Sequence, residues 1–365
     1  MNDRNPFTPN FGELPMYMAG RNQEISDFIY VLDESLSAPS RTSLFKGERG
    51  SGKTALLTRL GQEAEERGWI CVDVSASREM RRDIYEQAYS KFDAVYPIGE
   101  EKQLKGVSIG PFVGVEWDNN KAPDKTWRRL MNELLERMQE KGVGLLITID
   151  EVDPRNTEVV EFAMAYQHFI REGKKVALLV AGLPEKVGLL LNGEGTSFLR
   201  RAALYNLGPI DNLDIEDAFL RTIKDSGKSI DNSALNKAIE NINGHPYKMQ
   251  LLGFRAWQIA GDSKIIREEH VSKAIEYADR DFEERVLLML VRELSDMDIA
   301  FLKSMAEDET FSKVTDIKKR LGKSDSYVSR YKERLQKAGV VETVGRGKLT
   351  FTSPELRDYV KKMED

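Results

Sequence analysis

Between an apolar run, Thr42–Lys46, and an amphipathic run, Lys53–Arg67, the chain places Gly47-Glu48-Arg49-Gly50-Ser51-Gly52-Lys53-Thr54. No other segment narrows the fold so far. Glycines let successive backbone amides converge without side-chain obstruction. A helix beginning at that point turns its positive end toward whatever anion the amides surround. The spacing is G-x-x-x-x-G-K-[ST], in which the lysine reaches the β- and γ-phosphates of a nucleotide and the hydroxyl ligates Mg²⁺. ATP and Mg²⁺ are therefore the expected cofactors, gripped by Gly47, Arg49, Gly50, Ser51, Gly52, Lys53 and Thr54.

A second segment fits the first. Leu145-Leu146-Ile147-Thr148-Ile149-Asp150-Glu151 reads as a buried strand that ends in two carboxylates. Beside a phosphate loop, Asp150 would support the metal and Glu151 would polarise an attacking water.

Around these motifs, short apolar runs alternate with amphipathic stretches from about residue 41 to 207, the pattern of a parallel sheet with crossover helices. The strands are expected at Thr42–Lys46, Trp69–Ser75, Gly144–Ile149, Lys175–Ala181 and Ala203–Leu207. Val107–Trp117 alternates around Gly110-Pro111 and is expected to form an inserted β-hairpin. From Leu213 to about Leu290 the spacing is helical: Ile215, Phe219 and Ile223, then Leu235 and Ile239, recur every four residues. The fold class expected is α/β: a three-layer αβα core over residues 1–210, a helical lid over 211–290 and a winged-helix domain over 291–365. Trp117, Trp127, Trp257 and Tyr247 read as packing residues.

The 365 residues carry 31% charged and 41% apolar side chains, enough for real cores and too polar for a membrane protein. The first twenty residues show no apolar core segment, so no secretory signal is expected. The single cysteine, Cys71, sits in an apolar run and fits a reducing cytoplasm. His168, His245 and His270 have no metal-ligand spacing, and no zinc site is inferred.

Charge is uneven. Phe311–Leu349 holds eleven lysines and arginines against four carboxylates, a surplus of seven in a chain whose total is −6, which leaves −13 elsewhere. Three helix-like stretches in this region (Asp296–Ala306, Val314–Leu321, Ser326–Ala338) precede two short strands joined at Gly345-Arg346-Gly347, the layout of a winged helix. On the third stretch Val328, Tyr331, Leu335 and Ala338 share an inner face. Ser326, Tyr327, Ser329, Arg330, Arg334 and Lys337 lie outward, joined by Lys318, Lys319, Arg320 and Lys323 before them and by Arg346 and Lys348 on the wing. Such a surface suits the phosphates and major groove of double-stranded DNA. Protein docking is the alternative use of the same module.

Residues 1–290 resemble the AAA+ and STAND P-loop ATPases, nearest the origin-recognition-like branch that ends in a winged helix. The resemblance rests on the phosphate loop, the acidic strand end, Arg21-Asn22-Gln23-Glu24 after Ala19-Gly20, and Arg200-Arg201 before the fifth strand. It implies that Arg21 lies by the adenine and that Arg200 or Arg201 serves as an arginine finger for a neighbouring subunit, hence a homo-oligomer. Two departures stand out. Leu178-Leu179-Val180-Ala181-Gly182-Leu183-Pro184 lacks the polar residue that senses the γ-phosphate in many members. Gly244-His245-Pro246-Tyr247-Lys248 replaces the second sensor, with Pro246 touching nucleotide as in STAND proteins and Lys248 as a substitute cation. The expected activity is slow ATP hydrolysis in a switch that couples nucleotide state to DNA binding, as in a replication initiator or mobile-element regulator. The alternative is a STAND-type signalling or defence ATPase whose winged helix docks protein.

Overall fold

The computed structural model describes residues 4–10, 12–34, 36–97, 123–292 and 294–363. Five parallel strands form the central sheet: β1 (Thr42–Lys46), β2 (Ile70–Ser75), β3 (Leu145–Asp150), β4 (Val176–Gly182) and β5 (Ala203–Asn206), in spatial order β2-β3-β4-β1-β5. Each starts and ends within one residue of its expected bounds. Both faces of the sheet are covered, which is why the strands are apolar almost throughout. Leu44, Ile147, Leu178 and Val180 point to one layer, where α3 (Met80–Val95), α4 (Pro123–Glu140), α5 (Thr157–Arg171) and α6 (Pro184–Asn192) supply Ile84, Trp127, Phe162 and Val187. Phe45, Cys71, Leu146 and Leu179 point to the other, against Phe28 and Val31 of α1 (Asn22–Asp33) and Leu56 and Leu60 of α2 (Lys53–Glu66). The hairpin expected at Val107–Trp117 lies outside the described residues.

The chain runs from β1 out to β2, returns through β3 and β4, and then crosses to β5 on the far side of β1. The connections that leave the neighbouring strands β1 and β4 therefore run to opposite sides of the sheet, and ligands of open parallel sheets bind beyond the strand ends at such a switch point.

A helical unit follows, made of α7 (Asn212–Asp225), α8 (Asn232–Ile242), α9 (Pro246–Ala260) and α10 (Glu268–Phe282), with β6 (Ser229–Ile230) and β7 (Ile265–Ile266) paired at one end. It does not stop at the end of α10. A π turn, Glu283–Leu287, continues directly into α11 (Leu288–Arg292). The C-terminal module is α12 (Asp296–Ala306), β8 (Ser312–Lys313), α13 (Val314–Leu321), α14 (Asp325–Lys337), β9 (Val341–Gly345), β10 (Lys348–Phe351) and α15 (Pro354–Lys362). Its sheet has the order β8-β10-β9, so the expected two-stranded wing gains a third strand. Phe219, Leu252, Phe282, Leu287, Phe301, Leu335 and Val360 belong to one continuous apolar cluster. The helical unit and the C-terminal module thus share a core.

The N-terminal segment also joins this cluster: Phe7 is 2% exposed and its ring packs tilted against that of Phe219 of α7 at 5.1 Å. It packs on the helical unit, away from the sheet with which its position in the chain grouped it. Among the described residues no helix is long and apolar enough to cross a membrane.

Candidate nucleotide site

Gly47–Gly52 forms the loop between β1 and α2. Gly50 and Gly52 adopt φ of +79° and +86°, a region open to glycine at little cost. A Cβ at Gly47 would fall 2.5 Å from Ser51 Oγ and 2.9 Å from the Leu207 carbonyl oxygen, so the loop closes only with glycine there. Lys53 lies inside this loop and donates to the Gly47 and Glu48 carbonyls at 2.9 and 2.8 Å. Burial lowers the pKa of its amine, while Asp150, Glu48 and Glu151 act to keep it charged. The Ser51 hydroxyl oxygen is buried without a hydrogen-bond partner.

The strand end reaches the loop as expected. Thr54 donates its hydroxyl to Asp150 Oδ2 at 2.5 Å, and Asp150 Oδ1 accepts from the Glu151 amide at 2.8 Å. The two expected metal residues are therefore already in contact. Glu151 is exposed and takes φ +50°, one of three left-handed non-glycine residues among those described. That conformation costs an L-residue about 1–2 kcal/mol, and strain of this kind is concentrated at functional sites.

A cavity of about 650 Å³ opens over the loop. The loop and Asp150–Asp153 form its floor, the N-terminal segment (Thr8, Asn10, Gly12) and Ala19 form one wall, and α9 with the π turn forms the other. Arg21, Arg49 and Pro246 all line it. The Arg21 guanidinium donates to the Gly208 carbonyl at 2.7 Å and to that of Ser51 at 3.4 Å, fixing the loop from behind. An orphaned hydroxyl, a glycine-only cradle and a joined Thr54–Asp150 pair suit a nucleotide's phosphates and Mg²⁺.

Lys248 departs from expectation. Its amine turns away from the cavity into ion pairs with Asp279 of α10 at 3.0 Å and Glu355 of α15 at 3.6 Å. A 4%-exposed ammonium needs such partners, and the nearest carboxylates lie on that side. Three residues to which the sequence reading gave no role of their own at the site line it or hold it. Arg285 and Tyr247 face the cavity. His245 packs on the loop itself, since a Cβ at Gly50 would come within 2.6 Å of its Cε1. Only the G-x-P spacing hinted at His245. Asp153 accepts from both Arg155 and Lys186, and these hydrogen bonds hold its carboxyl well below the usual range. Arg200 and Arg201 stand exposed on a 3-10 turn before β5, outside the cavity, with Arg200 donating to the Leu191 carbonyl.

On the C-terminal module, Ser326, Ser329, Arg330 and Arg346 are exposed. Other members of the expected basic face are engaged within the module. Arg334 pairs at 2.9 Å with the fully buried Asp298, Arg320 with Asp308 and Glu307, and Lys318 with Asp325. The Tyr327 ring packs tilted against that of Tyr331 at 4.5 Å, and the Lys348 amine sits 4.2 Å from the Phe311 ring centre. Lys337 ends α14. The opposite end of this module touches the phosphate loop: a Cβ at Gly339 would lie 2.3 Å from the Glu48 carboxylate.

Residues 40–190 match the family model described as AAA domain, and residues 284–360 match a domain of unknown function (DUF8462). No curated protein matches the chain by sequence. Among solved structures it is similar to the Walker-type ATPase PABY2304 of Pyrococcus abyssi, with a TM-score of 0.64, 16% identity, and 94% of this chain and 96% of that one covered. It is also similar to the Aeropyrum pernix ORC2 protein in its ADP form (TM-score 0.54, 14% identity, 96% and 95% covered). Cdc6p from Pyrobaculum aerophilum gives a TM-score of 0.52 at 16% identity, with 97% and 96% covered. At these identities the likeness speaks for the fold. The sheet unit is an AAA-type P-loop domain, set in a chain with the fold of the Orc and Cdc6 proteins.

Proposed function

We propose that the chain is an ATP-dependent switch that binds ATP with Mg²⁺, hydrolyses it slowly and couples nucleotide state to double-stranded DNA binding by its C-terminal module. The observation that carries this reading is the loop: a glycine cradle around Lys53, with Thr54 and Asp150 joined at its mouth.

In this reading the loop amides and Lys53 hold the phosphates, and Thr54 and Asp150 hold the metal. Bound Mg²⁺ would neutralise charge on the β- and γ-phosphate oxygens. Glu151, exposed at the strand end, accepts a proton from water. Arg21 braces the loop, while Arg200 or Arg201 completes the site of a second copy in a homo-oligomer. Slow turnover follows from the end of β4, where Gly182 and Leu183 offer no polar side chain to the terminal phosphate. The single buried Cys71, its thiol pushed up by burial, agrees with a reducing cytoplasm.

Three working units, over residues 1–210, 211–290 and 291–365, are part of the proposal. The third has the helix–strand–helix–helix–hairpin order of a winged helix. Ser326, Tyr327, Ser329 and Arg330 on α14 and Arg346 and Lys348 on the wing would meet DNA, with Arg334 and Lys337 further along α14. A second reading, a STAND-type ATPase whose winged helix docks protein, is favoured by one observation: the module rests on the phosphate loop at Gly339 and Glu48.

Anisotropy of labelled duplex DNA, titrated with protein in ATP, in ADP and without nucleotide at two salt concentrations, separates the two. The switch reading expects nucleotide-dependent binding whose logarithmic salt slope is about −5 if about six phosphates are neutralised, with the nucleotide effect lost in Lys53→Ala. Absence of duplex binding in every state would sink the DNA half and leave the docking reading.

A further inference from the structure

The apolar interior does not divide the chain where its sequence pattern does. Among the described residues, the cluster that fills the helical unit and the C-terminal module also takes in Phe7 and Ala19, and takes in no residue from 20 to 207. The two clusters of the sheet unit lie within that range, with Met18 packed at their edge. Separate cores mark bodies that can shift against each other, whereas a shared close-packed core resists sliding.

The boundary is narrow. Met18 packs with the sheet unit and Ala19 with the helices; Leu207 packs with the sheet unit and Ile210 with the helices. The hydrogen bonds agree. The Leu207 amide donates to the Lys46 carbonyl of β1 at 2.7 Å, and the Ile210 amide to the Gly244 carbonyl before α9 at 2.8 Å. The chain thus crosses at Gly20–Arg21 and at Gly208–Pro209. Gly20 and Arg21 are consecutive left-handed residues, at φ +59° and +66°, and a Cβ at Gly20 would lie 3.0 Å from Ile210 Cγ2. The two crossings therefore run side by side, as the strands of a hinge must. Gly208 has room to turn, since a Cβ there would meet nothing within 4 Å.

Near residue 290, where the sequence pattern changes, the chain is stitched instead. Leu294 packs against the shared core, and its amide donates to the Val291 carbonyl at 3.0 Å. Lys248 of α9 pairs with Glu355 of α15, and Lys362 of α15 with Glu283 of the π turn. Away from the hinge the two bodies meet over the phosphate loop, His245 and Pro246 against Gly50 and Gly52, and Gly339 against Glu48. Glu48 Oε2 is buried there without a partner, and separation would return it to water.

We propose that the three units work as two bodies: the N-terminal segment, the helical unit and the C-terminal module turn as one piece on the sheet unit, about Gly20–Arg21 and Gly208–Pro209. The C-terminal module does not swing on the helices; it travels with them across the phosphate loop. The cavity is floored by one body and walled by the other, so opening it also lifts Gly339 from Glu48. This division follows from the cores and the crossings, whatever fills the cavity.

The test places spin labels in pairs at Glu140→Cys on α4, Asn236→Cys on α8 and Lys319→Cys on α13, all exposed positions, with Cys71→Ala in each protein. Pulsed electron resonance then gives the distances without nucleotide, with Mg-ADP and with a non-hydrolysable Mg-ATP analogue. The 236–319 distance should be narrow and move by less than about 1 Å in every state, while 140–236 and 140–319 should be broad without nucleotide and move together by more than about 2 Å on binding. A 236–319 distance that broadens or moves would overturn the proposal. So would 140–236 and 140–319 distances as narrow and fixed as it. A short bismaleimide joining Glu283→Cys to Lys362→Cys should leave nucleotide release unchanged, and slowed release would mean that α15 does swing on the helices. If wild type binds neither nucleotide, the nucleotide reading falls, and the widths measured without nucleotide still decide for or against two bodies.

Discussion

His245 shows how one side chain ties the phosphate loop to the helices above it. It begins α9, accepts the Lys248 amide on its Nδ1, meets the Phe282 ring edge-on at 4.7 Å and packs against Gly50. Burial, with Lys248 adding, lowers its pKa to about 4, so the imidazole is neutral in the folded protein. In the unfolded chain it takes a proton near pH 6.5. The unfolded state therefore binds more protons between about pH 4 and 6.5, and the stability that this residue confers is lost as pH falls through that window. A gap of about 2.5 units corresponds to ~3 kcal/mol, and the residue's partial solvent contact makes the realised figure smaller. Urea midpoints from pH 7 to 4 should fall in wild type and fall less in His245→Gln, which keeps a polar side chain without a charge. Parallel curves for the two proteins would show that the interface does not exclude the protonated ring.

At the scale of elements, the N-terminal segment is seated on α9 by a missing side chain. Gly253 faces Phe7, and a Cβ there would come within 2.3 Å of its ring. Asn5 donates to the Phe254 carbonyl at 2.9 Å, and the Thr8 amide donates to Gln250 Oε1 at 3.0 Å. Beyond Thr8 the segment forms a wall of the cavity. Alanine at 253 would gain about 1 kcal/mol of helix propensity but overpack the contact by ~1–3 kcal/mol. Gly253→Ala should therefore lower the denaturation midpoint and weaken nucleotide binding together. A variant more stable than wild type, with unchanged affinity, would mean that the segment is not seated there. The same element shows where sequence reading runs out. β1, β3 and β4 were legible because a strand buried on both faces is apolar and bounded, and the loop was legible because its spacing is local. Phe7 carries no periodicity, and β8 exists only through its pairing with β10. Lys248 went astray because Glu355, which helps capture it, is 107 residues away in the chain.

The whole molecule closes on itself where the C-terminal module meets the phosphate loop. Gly339, at φ +72°, follows α14 and lets the chain pass directly over the Glu48 carboxylate. Glu48 Oε2 is buried without a hydrogen-bond partner. Burial raises its pKa to about 7, with Lys53 opposing and Glu342 of β9 adding. A carboxyl whose folded pKa lies above its unfolded value near 4.5 gives stability that is full below 4.5 and lost as pH rises through about 7. The gap is worth ~3 kcal/mol, and its slope opposes that of His245, so the two must be separated by variants. Glu48→Gln keeps the shape and removes the charge. It should be more stable than wild type at pH 8, by up to ~3 kcal/mol, and the difference should vanish near pH 4.5. Hydrogen exchange at residues 339–342 should slow in the variant at pH 8 if the gain lies in the docked interface. Gly339→Ala, which needs both a left-handed alanine and space that Glu48 occupies, should speed exchange there at either pH. Identical pH slopes for wild type and Glu48→Gln would mean that the module leaves Glu48 to solvent, and its contact with the loop could not then respond to what the loop holds.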